Sequence, residues 1–79
     1  MKSTKGAVLS VYKIVELVGT STTSWEEAAK SAVTTASASL RHLRIAEVSE
    51  LDMSLGEDGT VKEYRAKVRV SFKHEAGAD

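Results

Sequence analysis

Residues 61–73, VKEYRAKVRVSFK, alternate cleanly: Tyr64, Ala66, Val68, Val70 and Phe72 fall on one side, and Arg65, Lys67, Arg69 and Ser71 on the other. A period of two marks a strand with one buried face. LSVYKIVELVG (9–19) predicts a second strand, ending at Gly19, with large apolar groups on both sides: Val11, Val15 and Leu17 on one, Tyr12, Ile14 and Val18 on the other. Both of its faces are therefore expected to be covered. Between these strands, Trp25, Ala28, Ala29, Ala32, Val33, Ala36 and Leu40 recur at helical spacing. Ser24 and Glu27 form the S-x-x-E capping box that opens the helix, and Glu26 and Glu27 lie at the positive end of its dipole. The apolar stripe is mostly alanine, so this helix can approach a sheet closely while supplying little bulk.

Residues 43–55 predict the remaining strand, but its alternation is broken. Leu43 and Ile45 share one parity, Ala46 and Val48 take the other, and Leu51 and Met53 switch back. Apolar groups on both parities again call for cover on both faces. GEDGT (56–60) is a turn carrying a strong Asp-Gly signal.

The order is βαββ. A helical crossover makes the first two strands parallel, and the hairpin makes the third antiparallel to the second. An antiparallel sheet then requires the third strand in the centre. The expected fold is α+β: a three-stranded antiparallel sheet wrapped around one helix, forming one domain over 9–75, with flexible tails at 1–8 and 76–79.

Size adds a constraint. A chain of 79 residues is one domain and buries only ~60% of the surface it exposes when unfolded. It has no cysteine, so disulfides and thiolate metal sites cannot reinforce it. Oligomerisation is the remaining reinforcement, and a sheet with an open second face points the same way. Eleven Lys and Arg balance eleven Asp and Glu, which argues against a nucleic-acid partner. No apolar run approaches the ~18 residues of a membrane span. The opening MKSTKGAVLS has no apolar core of a secretory signal. A cytoplasmic location is expected.

No catalytic constellation is visible. His42 and His74 lack metal-ligand spacing and are expected in solvent, and VGTSTTS has no phosphate-loop lysine. An enzyme is the least supported reading. Glu47, Glu50, Asp52, Glu57 and Asp58 are candidate oxygen ligands for a hard cation such as Ca²⁺, although the loop does not match an EF-hand. Arg65, Lys67 and Arg69 are candidates for binding an anion, or for pairing with the acids of the second strand across a subunit boundary. Trp25 reads as a core or interface anchor rather than a ligand platform.

VYKIVELVGTSTTSWEEAAKSAV, LRHLRIAEVSELDM and EYRAKVRVSFK together resemble the dodecins, over about residues 10–73. The resemblance implies a βαββ subunit in a hollow homododecamer, with the second strand faces packed on neighbouring subunits. It also implies a bound flavin, riboflavin or FMN, stacked on a second-strand tryptophan and hydrogen-bonded by a third-strand glutamine. Those two positions correspond here to Ile45 and Arg65. Isoleucine cannot stack face-on with a planar ring, and arginine offers donors only. The paired replacement resembles a tryptophan-less branch of the family, the calcium dodecins, and Arg65 is suited to an anionic or phosphorylated ligand. The reading that results is a non-enzymatic dodecameric store or buffer for a small ligand or ion, built on a dodecin scaffold with its flavin clamp altered. The alternatives are a dodecin that sequesters flavin and a purely structural or interaction shell.

Overall fold

A computed structural model describes residues 10–74. It contains β1 (Val11–Ser21), α1 (Trp25–Ser39), β2 (Leu43–Leu55) and β3 (Val61–His74). The sheet order is β1-β3-β2, and both outer strands run antiparallel to β3. The βαββ fold with its third strand in the centre is therefore the architecture of this chain. The tails assigned to 1–8 and 76–79 lie outside the described residues. His74 is the last residue of β3.

The helix begins where its cap predicts: Ser24 is extended, and its Oγ accepts from the Glu27 amide at 3.0 Å. Only this half of the capping box forms. The Ser24 amide donates instead to Ser21 Oγ at 3.4 Å, so a serine three residues upstream takes the place expected of the Glu27 carboxylate. Leu40 closes the helix, its amide donating to the Ala36 carbonyl at 2.8 Å.

β1 does not stop at Gly19. It continues to Ser21, with Gly19 paired to Ala66 and buried under the helix. A methyl group at Gly19 would overlap the carbonyl oxygen of Ala28 and press on the Ala32 side chain at 3.1 Å. The glycine that looked like a strand terminator is thus the place where helix and sheet touch. Around it, Ala28, Ala32 and Ala36 of α1 and Ala66, Val68 and Val70 of β3 form the buried core. Val15, Leu17, Val33, Leu40 and Leu43 pack against its margin.

The broken alternation of β2 has a local cause. Its pairing with β3 slips between Leu43 and Ile45 and again between Val48 and Glu50. Each bulge sets one extra residue, Arg44 or Ser49, against the β3 ladder and reverses the parity of everything after it. Leu43, Ala46, Val48, Leu51 and Met53 consequently all lie opposite the helix-side residues Phe72, Val70, Val68, Ala66 and Tyr64. The mixed parity of β2 therefore does not signal two apolar faces. Ile45, paired with Ser71, is the exception on the far side.

The hairpin turns at Gly56–Gly59, where the Gly59 amide donates to the Gly56 carbonyl at 2.9 Å and Gly59 takes φ 85°. Asp58 Oδ1 braces the turn by accepting from the amide and hydroxyl of Thr60 at 3.1 and 2.7 Å. His42, exposed as expected, has φ 60° where α1 passes into β2.

Gly19→Ala is expected to destabilise the fold by about 1–3 kcal/mol or more, because its methyl group meets backbone rather than a movable side chain. Denaturant titration checks this, and a neutral outcome would contradict the close helix–sheet approach.

Candidate functional site

The face of the sheet turned away from α1 collects almost every residue singled out above. With β3 in the centre, the two ladders form rows across three strands: Ile14–Ser71–Ile45, Glu16–Arg69–Glu47, Val18–Lys67–Glu50 and Thr20–Arg65–Asp52. One end of this face is apolar, with Tyr12, Ile14 and Ile45 exposed and Ile45 keeping 64% of its surface. The remainder is charged.

Arg65, Lys67 and Arg69 each meet an acid in their own row. Arg69 Nε lies 3.3 Å from Glu16, and its Nη1 lies 4.0 Å from Glu47. Lys67 lies 3.4 Å from Glu50. Arg65 holds Asp52 with two parallel bonds, Nε to Oδ1 at 2.7 Å and Nη2 to Oδ2 at 3.0 Å. The basic stripe thus has acid partners on β1 and β2 within the single subunit. Glu16 was missed in the sequence. Its signal was there, because a central β3 puts the outward parity of β1 opposite Arg69.

Asp52 is held from two directions. Its carboxylate faces Arg65 on the outer side, while its backbone carbonyl accepts from Trp25 Nε1 at 3.0 Å. The Trp25 ring meets Tyr64 edge-on, with centroids 5.1 Å apart. Trp25 therefore ties the start of α1 to the β2–β3 hairpin. The Arg65 hydrogen bonds, aided by the charges of Arg65 and Lys67, hold the Asp52 carboxyl below the usual carboxylate range. The same contact raises Arg65.

The arrangement does not fit calcium within a single chain. Ca²⁺ takes six to eight oxygen ligands, yet Glu47, Glu50 and Asp52 each face a cation. Among the described residues, no three His, Cys, Asp or Glu side chains converge to hold a metal ion. Asp58 is occupied by Thr60. Nor do Ile45 and Arg65 converge. They share a face, but Ile45 sits opposite Ser71, and six positions along β3 put that row about 20 Å from Arg65. A ligand contacting both positions at once would need a second chain.

On the helix side, an open groove of about 660 Å³ runs between α1 and β2, bordered by Ala29, Val33, Thr34, Ala46 and Val48. Its lining has Glu27 and Lys30 as its only ionisable groups and presents no paired nucleophile and base.

The dodecin family model matches residues 11–75. The chain belongs to the dodecin family. Calcium dodecin of Mycobacterium tuberculosis is 48% identical over 65 residues, covering 82% of this chain and 90% of that protein. Dodecin of Thermus thermophilus is also 48% identical over 65 residues, covering 82% and 93%. The solved structure of the Mycobacterium tuberculosis protein, described as calcium chelating with a novel calcium-binding site, aligns with TM-score 0.74 at 44% identity, over 89% of this chain and 99% of that one. Dodecin from Streptomyces coelicolor aligns with TM-score 0.78 at 34% identity, over 86% and 96%. Overall identity is the same to a dodecin named for calcium and to one that is not, so it does not select a ligand. Trp25 shows that this dodecin is not without tryptophan; what it lacks is an aromatic ring at position 45.

The Asp52–Arg65 pair makes a directional prediction. A carboxyl lowered on folding contributes stability that is fully present above its unfolded value of about 3.9 and is lost as pH falls through the folded value. The melting difference between wild type and Asp52→Asn is therefore expected to hold steady between about pH 7 and 5 and to shrink below about pH 4. A difference that widens in acid would contradict the pairing.

Proposed function

We propose that this dodecin is a non-enzymatic store or buffer for a small ligand or ion, acting as a hollow homododecamer in which the flavin clamp of the family has been replaced. The observation that carries this reading is Ile45: it is exposed on the outer face, where a stacking ring is the expectation, and no aromatic lies in its row. A stacked aromatic contact adds about 0.5–1.5 kcal/mol beyond burial. Losing one weakens a flavin site by about two- to tenfold, at about 1.4 kcal/mol per tenfold, and losing it on both sides of the ring by more. Arg65 compounds the loss, having no acceptor for a ring N–H. These replacements support placing the chain with the calcium-dodecin-like branch, in which a cation site would be completed by residues of more than one subunit. Assembly is supported by ten large apolar side chains left exposed among the described residues, including Ile14, Ile45, Leu51 and Met53.

Riboflavin fluorescence titrated with flavin-free protein is expected to show no saturable quenching at micromolar concentration. Strong quenching would instead establish flavin sequestration. Ile45→Trp combined with Arg65→Gln is expected to tighten riboflavin binding at least about tenfold by calorimetry, and no gain would sink the altered-clamp account. Light scattering should give a mass near twelve chains; a stable folded monomer would refute the shell. Chelator treatment followed by added Ca²⁺ should raise the melting temperature if an ion is the cargo, and an unchanged melt removes calcium from consideration.

A further inference from the structure

The anion-binding role suggested by the sequence for Arg65 meets an obstacle that only the register reveals. A guanidinium recognises an oxyanion through two parallel N–H groups in a fixed fork. In this chain one of the two such edges of Arg65, Nε with Nη2, already donates to the two oxygens of Asp52 at 2.7 and 3.0 Å, and the Asp52 charge offsets the attraction of the remaining Nη1–Nη2 edge for a second oxyanion. Asp52 is the direct ladder neighbour of Arg65, so the carboxylate is held at the fork by the sheet itself. Its backbone is fixed a second time through the Trp25 indole. The adjacent cations leave no substitute, since Lys67 faces Glu50, and Arg69 faces Glu16 and Glu47.

We propose that Asp52 sets the charge selectivity of this face: as a built-in oxyanion in the fork of Arg65, it keeps phosphate groups and other oxyanionic ligands off that residue. The proposal rests on the reading that position 65 belongs to the ligand region, and it narrows the ligand there to one without an exposed phosphate. Replacing the carboxylate by an amide removes both the charge and the second acceptor oxygen. That leaves Arg65 with an open donor pair, and Lys67 lies two positions away on the same face.

The test uses inorganic phosphate, titrated by calorimetry into the assembled protein as wild type, Asp52→Asn, Arg65→Gln and the Asp52→Asn/Arg65→Gln double variant. Wild type and Arg65→Gln are expected to bind phosphate equally weakly. Asp52→Asn is expected to bind about two- to fivefold more tightly, the scale on which an exposed ion pair competes, and the double variant should lose that gain. An Asp52→Asn protein that binds no better than wild type would overturn the proposal. So would a gain that survives the loss of Arg65. Should Asp52→Asn fail to assemble, the other pair still decides, because weaker phosphate binding by Arg65→Gln than by wild type would show the fork already open. None of these outcomes depends on flavin, so failure here is distinguishable from failure of the altered-clamp reading.

Discussion

Gly19 and the alanines of α1 set how closely the helix approaches the sheet, and the rest of the architecture responds to that distance. With no side chain at Gly19 and only methyl groups at Ala28, Ala32 and Ala36, the helix rests almost directly on backbone. Close packing of this kind leaves little volume to fill. Val68 and Val70 are the largest side chains fully buried. Burying a valine contributes about 1.5–3 kcal/mol, so a core built on two of them and four alanines is small beside the entropy of ordering the chain. The helix also lies over β1 and β3 and barely reaches β2, which leaves Val48, Leu51 and Met53 exposed beside it. Apolar surface on this scale marks an interaction face.

The outer face follows a different rule. Its charges are arranged in rows by the central position of β3, which places Arg65, Lys67 and Arg69 between strands that carry acids. Exposed pairs of this kind add little stability individually. Their effect is to fix register: slipping either ladder by one residue would set cations against apolar groups and turn the helix-side residues outward. Ile45 stands apart because it falls in the uncharged row with Ile14 and Ser71, next to the Glu16–Arg69–Glu47 row.

Much of this was legible in the sequence, and the exceptions have identifiable causes. The βαββ order, the central β3 and the Ser24 cap follow from periodicity, connection length and side-chain chemistry, all of which are local. Gly19 misled because glycine marks both strand ends and close approaches, and only the position of Ala28 distinguishes them. The two parities of β2 misled because a bulge changes the phase of a strand without leaving a mark in its composition; Arg44 and Ser49 are unremarkable residues for a strand. The charged positions were recognised, but their partners were not. Pairing Arg65 with Asp52 rather than with a ligand or a neighbouring subunit depends on register, and the register in turn depends on the Ser49 bulge. Position 45 was informative for the opposite reason: its significance comes from which residue is there, not from which residue faces it.

The strand order also bears on how the chain comes into being. β1 and β2 never pair with each other; each pairs only with β3. During synthesis, two strands and a helix exist before any backbone partner for either strand has been made. β1 must then join residues more than forty positions downstream, a non-local closure that is slow compared with forming the helix. Until residues 61–74 emerge, the nascent chain carries unpaired strand edges rich in valine, isoleucine and leucine, the features that invite pairing with another chain. Appearance of the last strand supplies both of them with a partner, since β3 alone pairs with β1 and with β2.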